Sequence, residues 1–287
     1  MFISVVIPTI GRETLNACLQ SLGAQTYPRD LFEVIVVEDG VRSVEKSVND
    51  FGFRYLSQEH RGPAAARNFG ARSARGDVLA FTDDDCTVPS NWLEKLADGY
   101  RRHPDAVGVG GYMEAPEEVL AANPFAAYES YMTRQVYKAG DLPIFGGFEV
   151  PTGGTNNLSY KKEIFEKAGG FDEKFPGAAG EDADLKKRIT GAGAKLLYIP
   201  LKVTHFHRYR LLSFIRQNRD RGLGSLYFQK KHGEQLGRVS LLRGIIISPL
   251  SFLSDCFVSN MNWRVAFLKT LAQKVNYLTQ LLNYGKV

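Results

Sequence analysis

Cysteine is scarce in this chain: three in 287 residues, at Cys18, Cys86 and Cys256, with no C-x-x-C pair. An odd number at wide spacing excludes a disulfide framework and a zinc-finger-type site, and points to a reducing compartment. No run of eighteen apolar residues occurs, so no segment meets the usual requirement for crossing a bilayer. The opening residues, MFISVVIPTIGRE, have no basic leader and read straight into an apolar strand, which argues against a signal peptide and for a cytosolic protein. Low-complexity tracts and internal repeats are missing. So is a G-x-G-x-x-G turn after the first apolar run, which disfavours a dinucleotide-dependent enzyme.

What is present is ordinary in amount and uneven in placement. Hydrophobic residues make up 44% and charged residues 23%, which excludes a disordered, collagenous or coiled-coil chain. The length suits one large α/β domain, or a domain with an appendage, and allows a full core. The net charge of +5 conceals an asymmetry: residues 205–287 hold thirteen Lys and Arg against three Asp and Glu, whereas the rest of the chain is net acidic. A basic third on an acidic body suggests an anionic membrane surface as partner, in preference to nucleic acid.

The first half alternates short apolar runs with amphipathic stretches. Strands are expected at 2–8, 34–37, 53–56 and 78–81, and helices over 13–24, 43–50, 63–74 and 89–102. Strands that are apolar throughout and joined by helices imply a parallel sheet covered on both faces. Ligands in such sheets bind beyond the carboxyl ends of the strands, so the loops after Ile7, Val37 and Phe81 are where chemistry is expected. The second half is less regular. It suggests a helix within 117–145, a turn-rich GGFEVPTGGTNN, helices at 161–168 and 182–192, a strand at 196–199 and helical pattern from 210 onward. Residues 244–258 are apolar but interrupted by Pro249 and Asp255.

The sharpest chemical signal is Asp83-Asp84-Asp85, directly after the strand VLAF. Adjacent carboxylates repel by about 1 kcal/mol per close pair even when solvated, and a divalent cation removes that cost. Hard oxygen ligands supplied by few protein groups suit Mg²⁺ or Mn²⁺ shared with a diphosphate. Asp39, preceded by Glu38 at the end of the second strand, can accept hydrogen bonds from a nucleobase or ribose, or can serve as a turn or cap residue. Arg67, in the small-residue helix GPAAARNFG, can face inward onto phosphate or lie on the surface. Glu181-Asp182 opens a helix, where acids cap and meet the dipole; a carboxylate there can also act as general base toward a sugar hydroxyl. His205 and His207, spaced i and i+2, can supply one imidazole to an acidic metal site, and the sequence leaves open which.

Taken in order, VVIPTIGR, VVEDG, GPAAARNFGA, FTDDD, the NWL helix, GGTNNLSYKKEIFEKAGGFDE and GEDADLKKR resemble the family 2 glycosyltransferases over residues 3–210. That resemblance implies an inverting enzyme of the GT-A fold: a mixed, mostly parallel α/β sheet with helices on both faces. A nucleotide-binding half would fill 1–112, an acceptor half 113–210, and a basic helical extension 211–287. Under it, Pro8 and Thr9 lie beside the nucleotide, Asp39 binds the uracil of a UDP-sugar with Glu38 adjoining, and Arg67 approaches base or diphosphate. Asp83 to Asp85 look like the DxD motif, with Asp83 near ribose and Asp84 between. Asp85 holds the metal, joined by Asp83 and by His205 or His207. Asp182, with Glu181, acts as base, and Gly153, Gly154 and Asn156 position the acceptor. Glu38 stands where the family often has Asp, and Val41 where it often has Ser.

The implied reaction is single displacement on a nucleotide-sugar donor, with Mn²⁺ or Mg²⁺ and a glycan or lipid-linked acceptor. The cationic, aromatic-bearing stretch 210–232 and the short apolar stretch 244–258 read as a peripheral attachment to the inner face of a membrane; the competing reading is helices that pack on the catalytic domain or form a homodimer. A sugar-nucleotide pyrophosphorylase-like nucleotidyltransferase lacks support, because the glycine-rich, Lys-containing loop after the first strand is absent. The remaining alternative is a non-catalytic membrane scaffold that only binds nucleotide.

Overall fold

A computed structural model describes residues 1–40, 43–152, 154–177, 179–207, 209–234, 237–257 and 261–286. Two compact units are present. The first comprises Met1–Pro116, Thr133–Glu173 and Asp182–His207, and the second Glu117–Met132, Lys174–Glu181 and Arg208–Val287.

The chain begins β1 (Ile3–Thr9), α1 (Leu15–Gly23), β2 (Phe32–Asp39), α2 (Glu45–Asp50), β3 (Arg54–Gln58), α3 (Pro63–Ser73) and β4 (Val78–Phe81). It continues through β5 (Cys86–Thr87), α4 (Trp92–Arg102), β6 (Ala106–Glu114), α5 (Glu117–Ala122), α6 (Pro124–Tyr131) and β7 (Ile144–Gly146). Then come β8 (Leu158–Lys161), α7 (Lys162–Lys167), α8 (Glu181–Gly191), β9 (Lys195–His205), α9 (Leu211–Lys231), α10 (Arg238–Phe257) and α11 (Trp263–Leu282).

The first unit holds one sheet in the order β3-β2-β1-β4-β8-β6-β9-β5, with β7 on β9. Strands β1 to β4 pair in parallel, as apolar runs joined by helices require. Every residue of β1, β2 and β4 is buried. Alternation along β1 sends Ile3, Val5 and Ile7 to a core shared with Leu19 of α1 and Trp92 and Leu96 of α4. Val6 faces a second core with Ala66 of α3, Phe81, Phe165 and Phe171. The three phenylalanine rings lie 5.3–5.5 Å apart, two of the pairs edge-on.

Strand β8 enters antiparallel between β4 and β6 and makes the sheet mixed. The sequence pattern missed β6 because AVGVGGYME reads as a turn. Its glycines serve close packing instead: a Cβ on Gly111 would lie 2.1 Å from the Leu201 carbonyl oxygen. It also stopped β9 too early, at the proline of LLYIP; the strand runs on to His205, six residues beyond the expected end, through the alternating LKVTH.

Asn157 ties these late strands together. It is fully buried, its Nδ2 donates to the carbonyls of Tyr112 (2.9 Å) and Leu201 (2.7 Å), and its Oδ1 accepts from Trp92 Nε1 (2.9 Å).

The second unit is helical. Tyr128, Phe214, Val265, Leu268 and Ala272 form its core, and Arg221 grips Glu129 through Nη1 and Nη2 at 3.1 and 2.9 Å. The apolar stretch expected at 244–258 belongs to the longer α10, whose eighteen-residue window reaches a mean hydropathy of 1.4 with only 17% of it buried. By length and composition alone α10 is able to cross a membrane.

Asn157→Leu keeps the branched heavy-atom skeleton but strands the Trp92 N–H and two carbonyls in the core, a loss of about 3 kcal/mol. Urea unfolding should show that loss.

Candidate functional site

The site grows from the carboxyl ends of β1, β2 and β4. Pro8 and Thr9 close β1 beside Val37 and Glu38 of β2. Asp39 ends β2 with its side chain almost wholly buried. Its carboxylate accepts from the backbone N–H of Arg61 (2.8 Å) and Gly62 (2.9 Å) and from Gln58 Nε2 (2.8 Å), with His60 Nδ1 at 2.9 Å. Burial alone would raise its pKa, but these donors hold it below the usual carboxylate range. Glu38 accepts from the Tyr55 hydroxyl. Val41 lies outside the described residues.

The three acids after β4 point three ways: Asp83 toward Arg67, Asp84 toward Thr9 and Arg12, and Asp85 toward His205. Asp83 Oδ1 accepts from Arg67 Nη2 at 2.7 Å; Arg67 is buried in α3, its guanidinium 5.9 Å from the centre of the Phe171 ring. Asp84 has no exposed surface and accepts from Thr9 Oγ1 (2.6 Å) and from Arg12. Thr9 Oγ1 in turn accepts from the Gly11 N–H at 2.9 Å. Burial keeps the Asp84 pKa raised, outweighing the Arg12 charge. Asp85 lies 3.4 Å from His205 Nε2 and 3.5 Å from Arg12 Nη1. Burial pushes its pKa up, but the hydrogen bond and charge of His205, with Arg12 behind them, bring it down to about 2.

Strand β5 explains how His205 arrives. Its antiparallel pairing with β9 sets Cys86 against His205, and the Phe206 N–H donates to the Asp85 carbonyl at 2.8 Å. The i, i+2 spacing then stacks the His205 and His207 rings with centroids 5.5 Å apart. One ligand atom from each of Asp85, His205 and His207 falls within 4.8 Å of the others, so both imidazoles join the acid. A carboxylate with two imidazoles fits a divalent cation. Asp83 is not part of this group; its carboxylate is turned to Arg67.

The other carboxylates lie on α8. Asp182 is half-buried and its Oδ1 accepts from the Ala183 N–H at 2.7 Å. A Cβ on Gly154 would stand 3.0 Å from Asp182 Oδ2, so the loop before β8 comes close to that oxygen. Asn156 contacts Met113 Sδ through Nδ2, and its buried Oδ1 has no hydrogen-bond partner among the described residues. Gly153 lies outside the described residues. Glu181 is buried. Asp184, also buried, is bound by Arg188 at 2.8–2.9 Å, and Arg188 donates on to the carbonyls of Ala168 and Gly170. Of the three acids in GEDADL, Asp182 is therefore the one with open surface.

Two side chains in the site escaped the sequence reading. Arg12 sits in the loop after β1, where a cation faces the acids after β4 by topology. Lys186 lies one turn beyond Asp182, donates to the Val150 carbonyl, and has its Nζ 5.3 Å from the centre of the Phe148 ring. Its i, i+4 spacing from Asp182 was the available signal. Burial lowers the Lys186 pKa to about 8, against the attraction of Asp182 and Glu149. The folded chain thus gives up this proton before the unfolded chain does, and the contribution of Lys186 to stability rises as pH rises above about 8. Denaturant unfolding at pH 7.5 and 9.5 should show that rise in the native chain and lose it in Lys186→Met.

Residues 4–168 match the profile described as Glycosyl transferase family 2. A glucosyl-dolichyl phosphate glucuronosyltransferase of Haloferax volcanii is 34% identical over 183 residues, 60% of this chain and 56% of that protein. A validoxylamine A glucosyltransferase of Streptomyces hygroscopicus subsp. limoneus is 31% identical over 229 residues, 70% of this chain and 49% of its own. The chain spans about half to two-thirds of the curated relatives it matches first. A solved mannosyltransferase from Pyrobaculum calidifontis, in complex with GDP-Man and Mn²⁺, superposes with a TM-score of 0.66 over 98% of this chain and 86% of that one, at 15% identity. That likeness establishes a shared GT-A-type fold. With a family profile covering more than half its length and relatives named as glycosyltransferases aligned along it, the chain belongs to glycosyl transferase family 2.

Proposed function

We propose that this chain transfers a sugar from a nucleoside diphosphate donor, a UDP-sugar, to a hydroxyl of a glycan or lipid-linked acceptor, with inversion at the anomeric carbon. The observation that carries the reading is the split of the acid triad: Asp83 and Asp84 are held by Arg67, Thr9 and Arg12, while Asp85 stands with His205 and His207. Such an arrangement suits a cation and a diphosphate better than a solvated acidic turn.

Asp39 shapes the nucleobase pocket by holding the amides of Arg61 and Gly62, with Glu38 alongside. Asp83 faces the ribose, and Arg67 lends it positive charge. A Mn²⁺ ion on Asp85, His205 and His207 would neutralise charge on the departing diphosphate. Asp182 accepts the proton of the attacking hydroxyl as the oxygen–carbon bond forms at the anomeric centre, and the bond to the donor phosphate breaks with its electron pair leaving on UDP. Gly154 leaves room beside Asp182, and Asn156 supplies an open acceptor for a sugar hydroxyl; both serve positioning. The chemistry belongs to residues 1–210, and 211–287 attaches the protein to the anionic cytoplasmic face of a membrane on which a lipid-linked acceptor would be met.

UDP should raise the melting temperature with Mn²⁺ present and much less without it. His205→Ala combined with His207→Ala should weaken Mn²⁺ binding at least about tenfold, read by calorimetry. Asp182→Asn should abolish transfer while UDP affinity stays within about threefold, since the acid acts on the acceptor and not on the nucleotide. Undiminished turnover in that variant would remove Asp182 from its role.

A further inference from the structure

Helix α10 turns most of its large apolar side chains outward and buries a serine and an aspartate. Val239, Leu242, Ile246, Leu250, Leu253 and Phe257 recur every three or four residues and are all exposed, Ile246 by 72% and Leu250 by 64%. The buried positions are Leu241, Ser248 and Asp255, spaced by seven. Asp255 is neutralised within the unit by Lys269 of α11 at 2.9 Å, and Ser251 approaches Gln273 of α11 at 3.5 Å. A water-facing helix reverses that distribution.

The ends of the α10–α11 hairpin carry amphipathic side chains. The Arg238 guanidinium lies over the Tyr284 ring at 5.0 Å at one end. At the other, Arg264 lies over Trp263, itself 61% exposed, at 5.5 Å. Aromatic and basic residues of this kind sit at the headgroup level of a bilayer. Arg243 is also exposed on α10.

We propose that the outer face of α10 inserts among the acyl chains of one bilayer leaflet, with the helix lying in the membrane plane. Although α10 is long enough to cross, its partner is not suited to lipid. Helix α11 carries Lys269, Gln273, Lys274, Asn276 and Gln280, and a crossing hairpin would take these into hydrocarbon. One-sided insertion leaves them in the helical unit. The inference deepens the membrane attachment proposed above by making it apolar and by naming its face.

The test uses the full chain with vesicles of neutral phosphatidylcholine and of phosphatidylcholine with phosphatidylglycerol, floated at 0.1 and 0.5 M salt. Insertion predicts binding to neutral vesicles that survives 0.5 M salt and drops at least about tenfold in Ile246→Asn combined with Leu250→Asn. Both positions are exposed, so the variant should keep its melting temperature, which serves as the control. Arg238→Gln with Arg243→Gln should lower only the additional affinity for anionic vesicles. Binding confined to anionic vesicles and released by salt would overturn insertion while leaving charge-based attachment standing. A soluble dimer that the Asn variant disperses would overturn both and give the stripe to a second copy.

Discussion

Three carboxylates in a row at the end of a buried strand are the constraint around which the first unit is arranged. Their mutual repulsion is relieved by dispersal: one acid turns to Arg67 on the helix behind, one to Thr9 and Arg12 on the neighbouring β1 loop, one to His205 on the far side of the sheet. Each direction requires a different element to end in the right place. The parallel order of β1 and β4 brings Arg12 beside Asp84, the close-packed alanine helix α3 delivers Arg67 from within the protein, and the length of β9 supplies the imidazoles. Charge pairing and sheet topology are in this sense one problem.

Much of this was legible from residue pattern, and the exceptions have physical causes. The parallel strands are apolar at nearly every position and bounded by turn residues, so β1, β2 and β4 stand out. Strand β6 was hidden because the close approach of β9 demands glycine, the residue that most often signals a turn. Strand β9 was cut short by a proline that the sheet accommodates, and with it went the reason both His205 and His207 reach Asp85. For the site, the acids and histidines were visible as clusters, whereas Arg12 was not, since a lone cation in a polar stretch has no pattern of its own; Lys186 was marked only by its i, i+4 spacing from Asp182. The sequence also left the roles within GEDADL undivided. Only the pairing of Asp184 with Arg188 separates an acid that braces the 168–170 turn from Asp182 with its open surface.

The helical unit shows the same logic inverted. In α10 the buried Asp255 is neutralised by Lys269 of α11, the Ser248 and Ser251 hydroxyls bond carbonyls of their own helix, and much of the hydrocarbon is left outside, so hydropathy summed over the helix says less than which side each residue occupies. Residues 244–258 looked too short because the apolar run was read without its flanks; the stripe begins at Val239.

Strand β9 has one more implication. Its eleven residues pair with β6, β7 and β5, so it stitches the outer half of the sheet and also carries an imidazole at its tip. A slip of one residue along β6 would turn Thr204 toward Asp85 and send His205 to the opposite face. On the proposed reading, cation affinity would gauge strand alignment: a lesion in the sheet's interior, far from any acid, would announce itself first as a weakened grip on metal.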